Sequence, residues 1–111
     1  MKVYVRSAAR EDILRQFRYY LVDKDAAPAA ERFVDAVQSA IDELRRNPEI
    51  GAPRHLSAPE LKGLRSWPVP DFPAIRIYYI HAADSLRIVR VLHGKRDVSV
   101  LLEEEFGASD D

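Results

Sequence analysis

The chain has 111 residues, 17 Lys and Arg against 18 Asp and Glu, a net charge of −1 and no cysteine, which is one domain's worth of sequence, able to bury a core without metal or disulfide staples. The missing cysteines exclude disulfide frameworks, thiol nucleophiles and thiolate zinc sites. The opening MKVYVRSAARED lacks the apolar run of a signal peptide and no stretch reaches membrane-spanning length, so the expectation is a soluble cytoplasmic protein with no membrane partner.

Lys2 to Arg6 alternates Val3 and Val5 against Lys2, Tyr4 and Arg6, the period of a half-buried strand. Ser7 reads as an N-cap, with Glu11 and Asp12 placed to meet the positive end of a helix dipole. The helix is predicted over about Ala8 to Val22, burying Ala9, Ile13, Phe17, Tyr20 and Leu21. Asp23 to Ala27 breaks the pattern. Asp25 and Pro28 start a second helix, Ala29 to Arg46, whose core positions are Ala30, Phe33, Val34, Val37, Ile41 and Leu44. Arg45 and Arg46 suit its C-terminus, and Asn47-Pro48 stops it. Two amphipathic helices joined this closely form a helical hairpin.

The proline-rich stretch from Asn47 to Glu60 reads as loop. Three apolar runs follow, around Trp67 and Pro68, over Pro73 to Ile80 and over Leu86 to Leu92. Their β-branched and aromatic content predicts an antiparallel meander, with a hairpin turn at His81 to Ser85. Both faces of these strands are apolar, so both require cover: the hairpin on one, a C-terminal segment or a partner on the other. Trp67, Phe33, Phe17 and Tyr79 are the expected most-buried aromatics, with Tyr78 half-buried. Asp97 is placed to cap a last helix, Val98 to Phe106, fraying at Glu103, Glu104 and Glu105, where acidic groups oppose the dipole. The domain is taken as 1–106, with 107–111 a disordered acidic tail.

The resulting order is β-α-α-β-β-β with a short C-terminal helix, an α+β domain with a helical hairpin packed on a mainly antiparallel sheet. The runs NPEIG before the sheet, GLRSWPV entering it, FPAIRIYY in its middle and IVRVLHGKRD leaving it resemble the RelE/ParE superfamily of toxins from type II toxin-antitoxin modules, and within it the ParE branch. The resemblance covers nearly the whole chain, and VLHGKRD after an I-x-V-R strand is its most specific part. It implies a toxin that inhibits DNA gyrase by binding and is neutralised by a cognate antitoxin encoded beside it, whose flexible C-terminal segment folds along the hairpin and a sheet edge. The alternatives are a RelE-like ribosome-dependent mRNA endonuclease and a degenerate member that binds antitoxin without toxicity.

An RNA-cleaving site needs a base, a leaving-group acid and cations at the scissile phosphate. Lys62, Arg65, Arg76, Arg90, His93, Lys95 and Arg96 are the available basic side chains, and Arg65, Arg76, Arg90 and His93 are the candidate set on the enzyme reading. Relatives of the RelE kind use a tyrosine or histidine near the C-terminus. Here nothing after Asp97 is Tyr, His, Lys or Arg, leaving His93, Tyr78 or Tyr79 as the acid. The ordinary roles for these groups are a strand-end His93 bonded to the next turn, and Arg76 and Arg90 paired with Asp71, Asp97 or tail glutamates. No catalytic residue is therefore assigned on the leading reading. Its antitoxin contacts are Leu14, Arg15, Phe17, Arg18, Leu21, Arg87 and Arg90, where apolar width beyond one stripe meets free cations.

Residues 54–102 carry eight basic and four acidic side chains and residues 103–111 five acidic and no basic ones. The sheet region is thus modestly positive, less so than phosphate-dependent nucleic-acid binders usually are. Direct nucleic-acid binding is not expected. His55 and His81 are isolated, so no metal is called for, and no cofactor motif occurs.

Overall fold

A computed structural model describes residues 1–107; the tail beyond, 108–111, lies outside the described residues. A five-stranded sheet of order β1-β5-β4-β3-β2 carries helices on one face and a short helix with a loop on the other. Its strands are β1 (Lys2–Val5), β2 (Ala52–Pro53), β3 (Leu64–Val69), β4 (Phe72–Ala82) and β5 (Ser85–His93). β1 runs parallel to β5 and the other pairings are antiparallel. The two-residue strand β2 lies in the stretch read as loop, and two residues give no periodicity to detect.

Helix α1 (Ser7–Arg18) begins one residue earlier than predicted. Arg6 is its N-cap and makes no side-chain cap bond, so Ser7 is not the cap. The helix passes into a π turn, Tyr19–Asp23, closed by Lys24 N to Tyr19 O at 3.0 Å. That wider turn rotates the positions after it. Leu21, placed on the apolar stripe, is 39% exposed, and Phe17 is half-buried outside the main core cluster. Helix α2 (Ala27–Arg46) buries Ala30, Phe33, Ala36, Val37, Ala40, Ile41 and Leu44, whereas Val34 faces solvent. Phe33 packs edge-on against Phe72, ring centres 5.4 Å apart at 87°, and against Tyr20 at 5.9 Å, the offset geometries that aromatic quadrupoles favour.

The predicted turn of five residues tightens to Ala83 and Asp84, with Ala83 in the left-handed region at φ 53°. A register shift between Tyr78 and Tyr79 sits in the same pair of strands. Tyr79 belongs to the core under α1 and α2, and Tyr78 to a second core on the opposite face, with Ala58, Leu61, Leu64, Val89, Leu92, Val98 and Leu102. Tyr78 is therefore fully buried rather than half-buried, because the C-terminal helix α3 (Val98–Leu102) and the 3-10 turn Pro59–Leu61 close over it. Trp67 is half-buried: β2 pairs with β3 only opposite Arg65 and Ser66, so the sheet is not widened beside it.

Asp97 caps α3 as expected, accepting from Val100 N at 3.2 Å. The segment does not fray at the glutamates. It continues as a π turn over Glu103–Gly107, held by Glu103 on the Ser57 N–H and hydroxyl at 2.9 and 2.7 Å and by Glu105 on Arg6 at 2.6 Å. Charge-assisted bonds to a neighbouring loop outweigh the unfavourable dipole, which acts only over a last turn. Gly107 belongs to this turn and is half-buried.

Candidate functional site

β1 ends at Val5, and past that point β5 has no strand on its outer side among the described residues. The edge is satisfied instead by α1 and its approach. Arg6 N donates to Ile88 O at 3.1 Å, the Arg6 guanidinium donates to Val89 O at 3.1 Å, and Val91 N donates to Asp12 Oδ2 at 3.0 Å. Asp12 is 4% exposed. Its two oxygens accept from Arg90 Nε at 2.7 Å and Nη2 at 2.8 Å, a bidentate pair, with Arg15 Nη1 at 3.3 Å. Arg90 also reaches Glu105 at 3.3 Å. Its pKa is raised, first by the hydrogen bond with Asp12, against the opposing effect of burial. Glu105 is a tail glutamate of the kind proposed as partner for Arg90. Asp12, read as a dipole residue, is the principal one, and its place on the same helix face as buried Ala9 was the signal for it.

The other basic candidates are dispersed. Arg76 donates from Nε and Nη2 to Ser66 Oγ at 3.2 and 3.1 Å, with Ser66 buried. Arg65 Nη1 donates to the carbonyls of Glu49 and Gly51 at 3.1 and 2.8 Å. His93 is exposed at the end of β5 and its backbone carbonyl, not its ring, closes the next turn by accepting from Arg96 N at 3.1 Å. Lys62, Lys95 and Arg96 are exposed. In the register, Arg76 opposes Leu92 and Tyr78 opposes Arg90, which puts both arginines on the face of the second core. His93 opposes Ile75, and Arg65 opposes Tyr79, both on the α2 face. Arg65, Arg76, Arg90 and His93 thus lie on two sides of one sheet and do not converge. Tyr78 and Tyr79 are fully buried. The Tyr79 hydroxyl accepts from Gly51 N at 2.9 Å and donates to Pro48 O at 2.7 Å, and burial raises its pKa. Among the described residues no group of three or more His, Asp or Glu side chains could hold a metal.

The outer face of α1 has a different character. Glu11, Leu14, Arg15, Arg18, Tyr19 and Val22 line an open groove of about 760 Å³. Leu14 is 45%, Tyr19 39% and Val22 68% exposed. Among the described residues Arg18 makes no ion pair, and Arg15 makes the one long contact to Asp12. Of the proposed antitoxin contacts, Leu14, Arg15 and Arg18 line the groove and Leu21 is exposed beside it. Phe17 is half-buried, Arg87 is exposed on β5 and Arg90 is engaged by Asp12. Tyr19 and Val22 join this face four residues after Arg15 and Arg18, and that helical spacing is the sequence signal for them.

A helical hairpin over a mainly antiparallel sheet, with one parallel edge strand and a short C-terminal helix behind it, is the fold of the RelE/ParE toxins. Solved structures agree: the chromosomal ParDE toxin-antitoxin system of P. aeruginosa aligns with a TM-score of 0.64 at 16% identity, over 84% of this chain and 95% of that one. A YoeB/ParE toxin from Agrobacterium tumefaciens aligns at 0.56 and 16% identity, over 84% and 98%. A mutant toxin from Helicobacter pylori aligns at 0.56 and 16%, over 85% and 94%. The model of the ParE toxin of the type II toxin-antitoxin system parDE matches residues 3–98, and the chain belongs to that family. No curated protein matches it.

Proposed function

We propose that this protein is the toxin of a type II toxin-antitoxin module, that it poisons DNA gyrase by binding rather than by catalysis, and that its antitoxin covers the outer face of α1. The observation that carries the binding reading is the dispersal of Arg65, Arg76, Arg90 and His93 over two sheet faces. General acid-base cleavage needs those groups within hydrogen-bond reach of one phosphate. Support for the antitoxin site comes from the α1 groove, where exposed Leu14, Tyr19 and Val22 alternate with Arg15 and Arg18. An amphipathic segment that orders on binding needs such a long apolar footprint with flanking charges. Membership of the family supports an antitoxin as the partner, and we infer that it is encoded beside the toxin and acts with it in the cytoplasm.

Inducible expression followed by parallel assays of gyrase supercoiling and of mRNA cleavage in translation extracts tests this reading. Loss of supercoiling activity with intact mRNA is the expected result. Cleaved mRNA establishes the ribosome-dependent nuclease instead, and inactivity in both assays with retained antitoxin binding establishes a degenerate member.

A further inference from the structure

At the far end of the sheet from β1, the chain leaves β2 at Pro53 and runs past the start of β3, tied there by Arg54 N to Leu64 O at 2.8 Å. Two adjoining cavities open at this place. One of about 370 Å³ is lined by Arg54, His55, Arg65, His81 and Glu49 among others; the second, about 280 Å³, shares Arg54, His55 and Gly63 with it and adds Lys62. The guanidinium of Arg54 lies over the buried ring of Tyr78, 5.5 Å from its centre. Stacking orients the planar fork and leaves its edges free for an oxyanion. Arg65 is held by the Glu49 and Gly51 carbonyls through Nη1, and its other guanidinium nitrogens make no hydrogen bond among the described residues. Among the described residues none of Arg54, Lys62 and Arg65 forms an ion pair. Glu49 is the one carboxylate among the lining residues. His55 and His81 add ring donors.

Pre-oriented arginines without carboxylate partners in a concavity of this size select a compact, multiply acceptor-bearing anion. An acidic peptide is the poorer fit, because among the described residues no large apolar side chain is exposed there for it to cover, in contrast to the α1 groove. A long nucleic-acid footprint is disfavoured by the overall charge of −1. We propose that this cleft binds the phosphate group of a nucleotide-sized ligand, with Arg54 and Arg65 as its forks and Lys62, His55 and His81 as additional donors. The phosphate can come from a free nucleotide or from the exposed end of a nucleic-acid strand. The site is separate from the α1 groove and independent of the gyrase reading.

Titration of the isotope-labelled protein with a nucleoside 5′-monophosphate, inorganic pyrophosphate, a short single-stranded oligonucleotide and polyglutamate, followed by ¹H–¹⁵N spectra, tests the proposal. Saturable shifts confined to Arg54, His55 and Gly63 through Arg65 are expected with the phosphate probes. A response to the monophosphate identifies a free nucleotide, and a response restricted to the oligonucleotide identifies a strand. Arg54→Ala is expected to weaken binding roughly tenfold and to lower the salt slope by about one. Arg54→Lys recovers part of the loss, because a point charge replaces a fork. Lys62→Ala and His81→Ala weaken binding without touching the Tyr78 contact, and Arg32→Ala, at an exposed position on α2, leaves it unchanged. Shifts spread over every basic surface, an equal response to polyglutamate, or full affinity in the Arg54 and Lys62 variants overturns the proposal.

Discussion

The Asp12 carboxylate takes the place of a missing strand beside β5: it accepts from the Val91 backbone at 3.0 Å and, through both oxygens, from the Arg90 guanidinium at 2.7 and 2.8 Å. An open edge would invite pairing with another chain, and a buried charge on that edge is one way proteins block it. Removing one partner of such a pair leaves the other charge buried and uncompensated. Asp12→Ala is therefore expected to destabilise the protein by about 3–5 kcal/mol in denaturant unfolding. Asp12→Ala with Arg90→Ala should cost less than the two singles added together. Strict additivity would mean that the pair is not coupled.

Gly51 is packed against Tyr79 and the Ser66 carbonyl: a Cβ there would lie 2.6 Å from the tyrosine hydroxyl and 2.9 Å from that carbonyl. Gly51→Ala is expected to lower the melting temperature. Tyr79→Phe should cost about 1–3 kcal/mol, because the Gly51 N–H and Pro48 carbonyl both lose their partner. Thermal melts at neutral pH check both. An unchanged Tm for Tyr79→Phe would show that water replaces the hydroxyl.

Burial raises the pKa of Tyr79 and of Tyr20 above the ordinary 10.0. The folded state then holds its phenol protons more tightly than the unfolded one. Their contribution is complete below about 10 and declines as pH rises through the folded values. Stability should fall on the alkaline side, and the fall should be shallower in Tyr79→Phe. Denaturation midpoints across the alkaline range provide the measurement.

Glu103 is held below its ordinary 4.5 by the Ser57 hydroxyl, then by the Ser57 N–H. Its carboxylate bonds are present above 4.5 and are lost as pH falls through the lowered value. Loosening of the Glu103–Gly107 turn on acidification is the expected outcome, read as faster amide exchange there. In Ser57→Ala the Glu103 carboxyl should titrate closer to its ordinary value by NMR.

On the α1 face, Leu14→Asp and Val22→Asp should weaken binding of the neighbouring-gene antitoxin more than Arg87→Ala does, by at least about tenfold for each apolar change. His93→Ala should leave gyrase inhibition intact. Calorimetry with the purified antitoxin measures the first effect and a supercoiling assay the second. Equal affinities for Leu14→Asp and the parent would move the antitoxin off this groove.

Most of the architecture was legible in the order of residues. The period of 3.6 in Ala30, Phe33, Val37, Ile41 and Leu44 and the alternation of Val3 and Val5 follow from which side of an element faces water, and that is a local property. So are the Asp97 cap and the stop at Asn47-Pro48. The four runs from NPEIG to HGKRD were enough to point to the family. What escaped depended on neighbours distant in sequence. Leu21 lost its place in the core where a π turn follows α1, and Phe17, which precedes that turn, stays half-buried outside the main core cluster. Trp67 lost full burial because β2 is two residues long.

The candidate site divides in the same way. Sequence alone determined which basic side chains exist, that no late tyrosine or histidine accompanies them, and that the first helix is apolar over more than one stripe. Tertiary structure decided which of those cations are free: Arg90 is committed to Asp12, 78 positions away, while Arg18 and Arg54 carry no carboxylate among the described residues. Ion pairing depends on distances of a few ångströms between elements that meet only after folding, and residue order specifies those distances only through the packing of the whole chain.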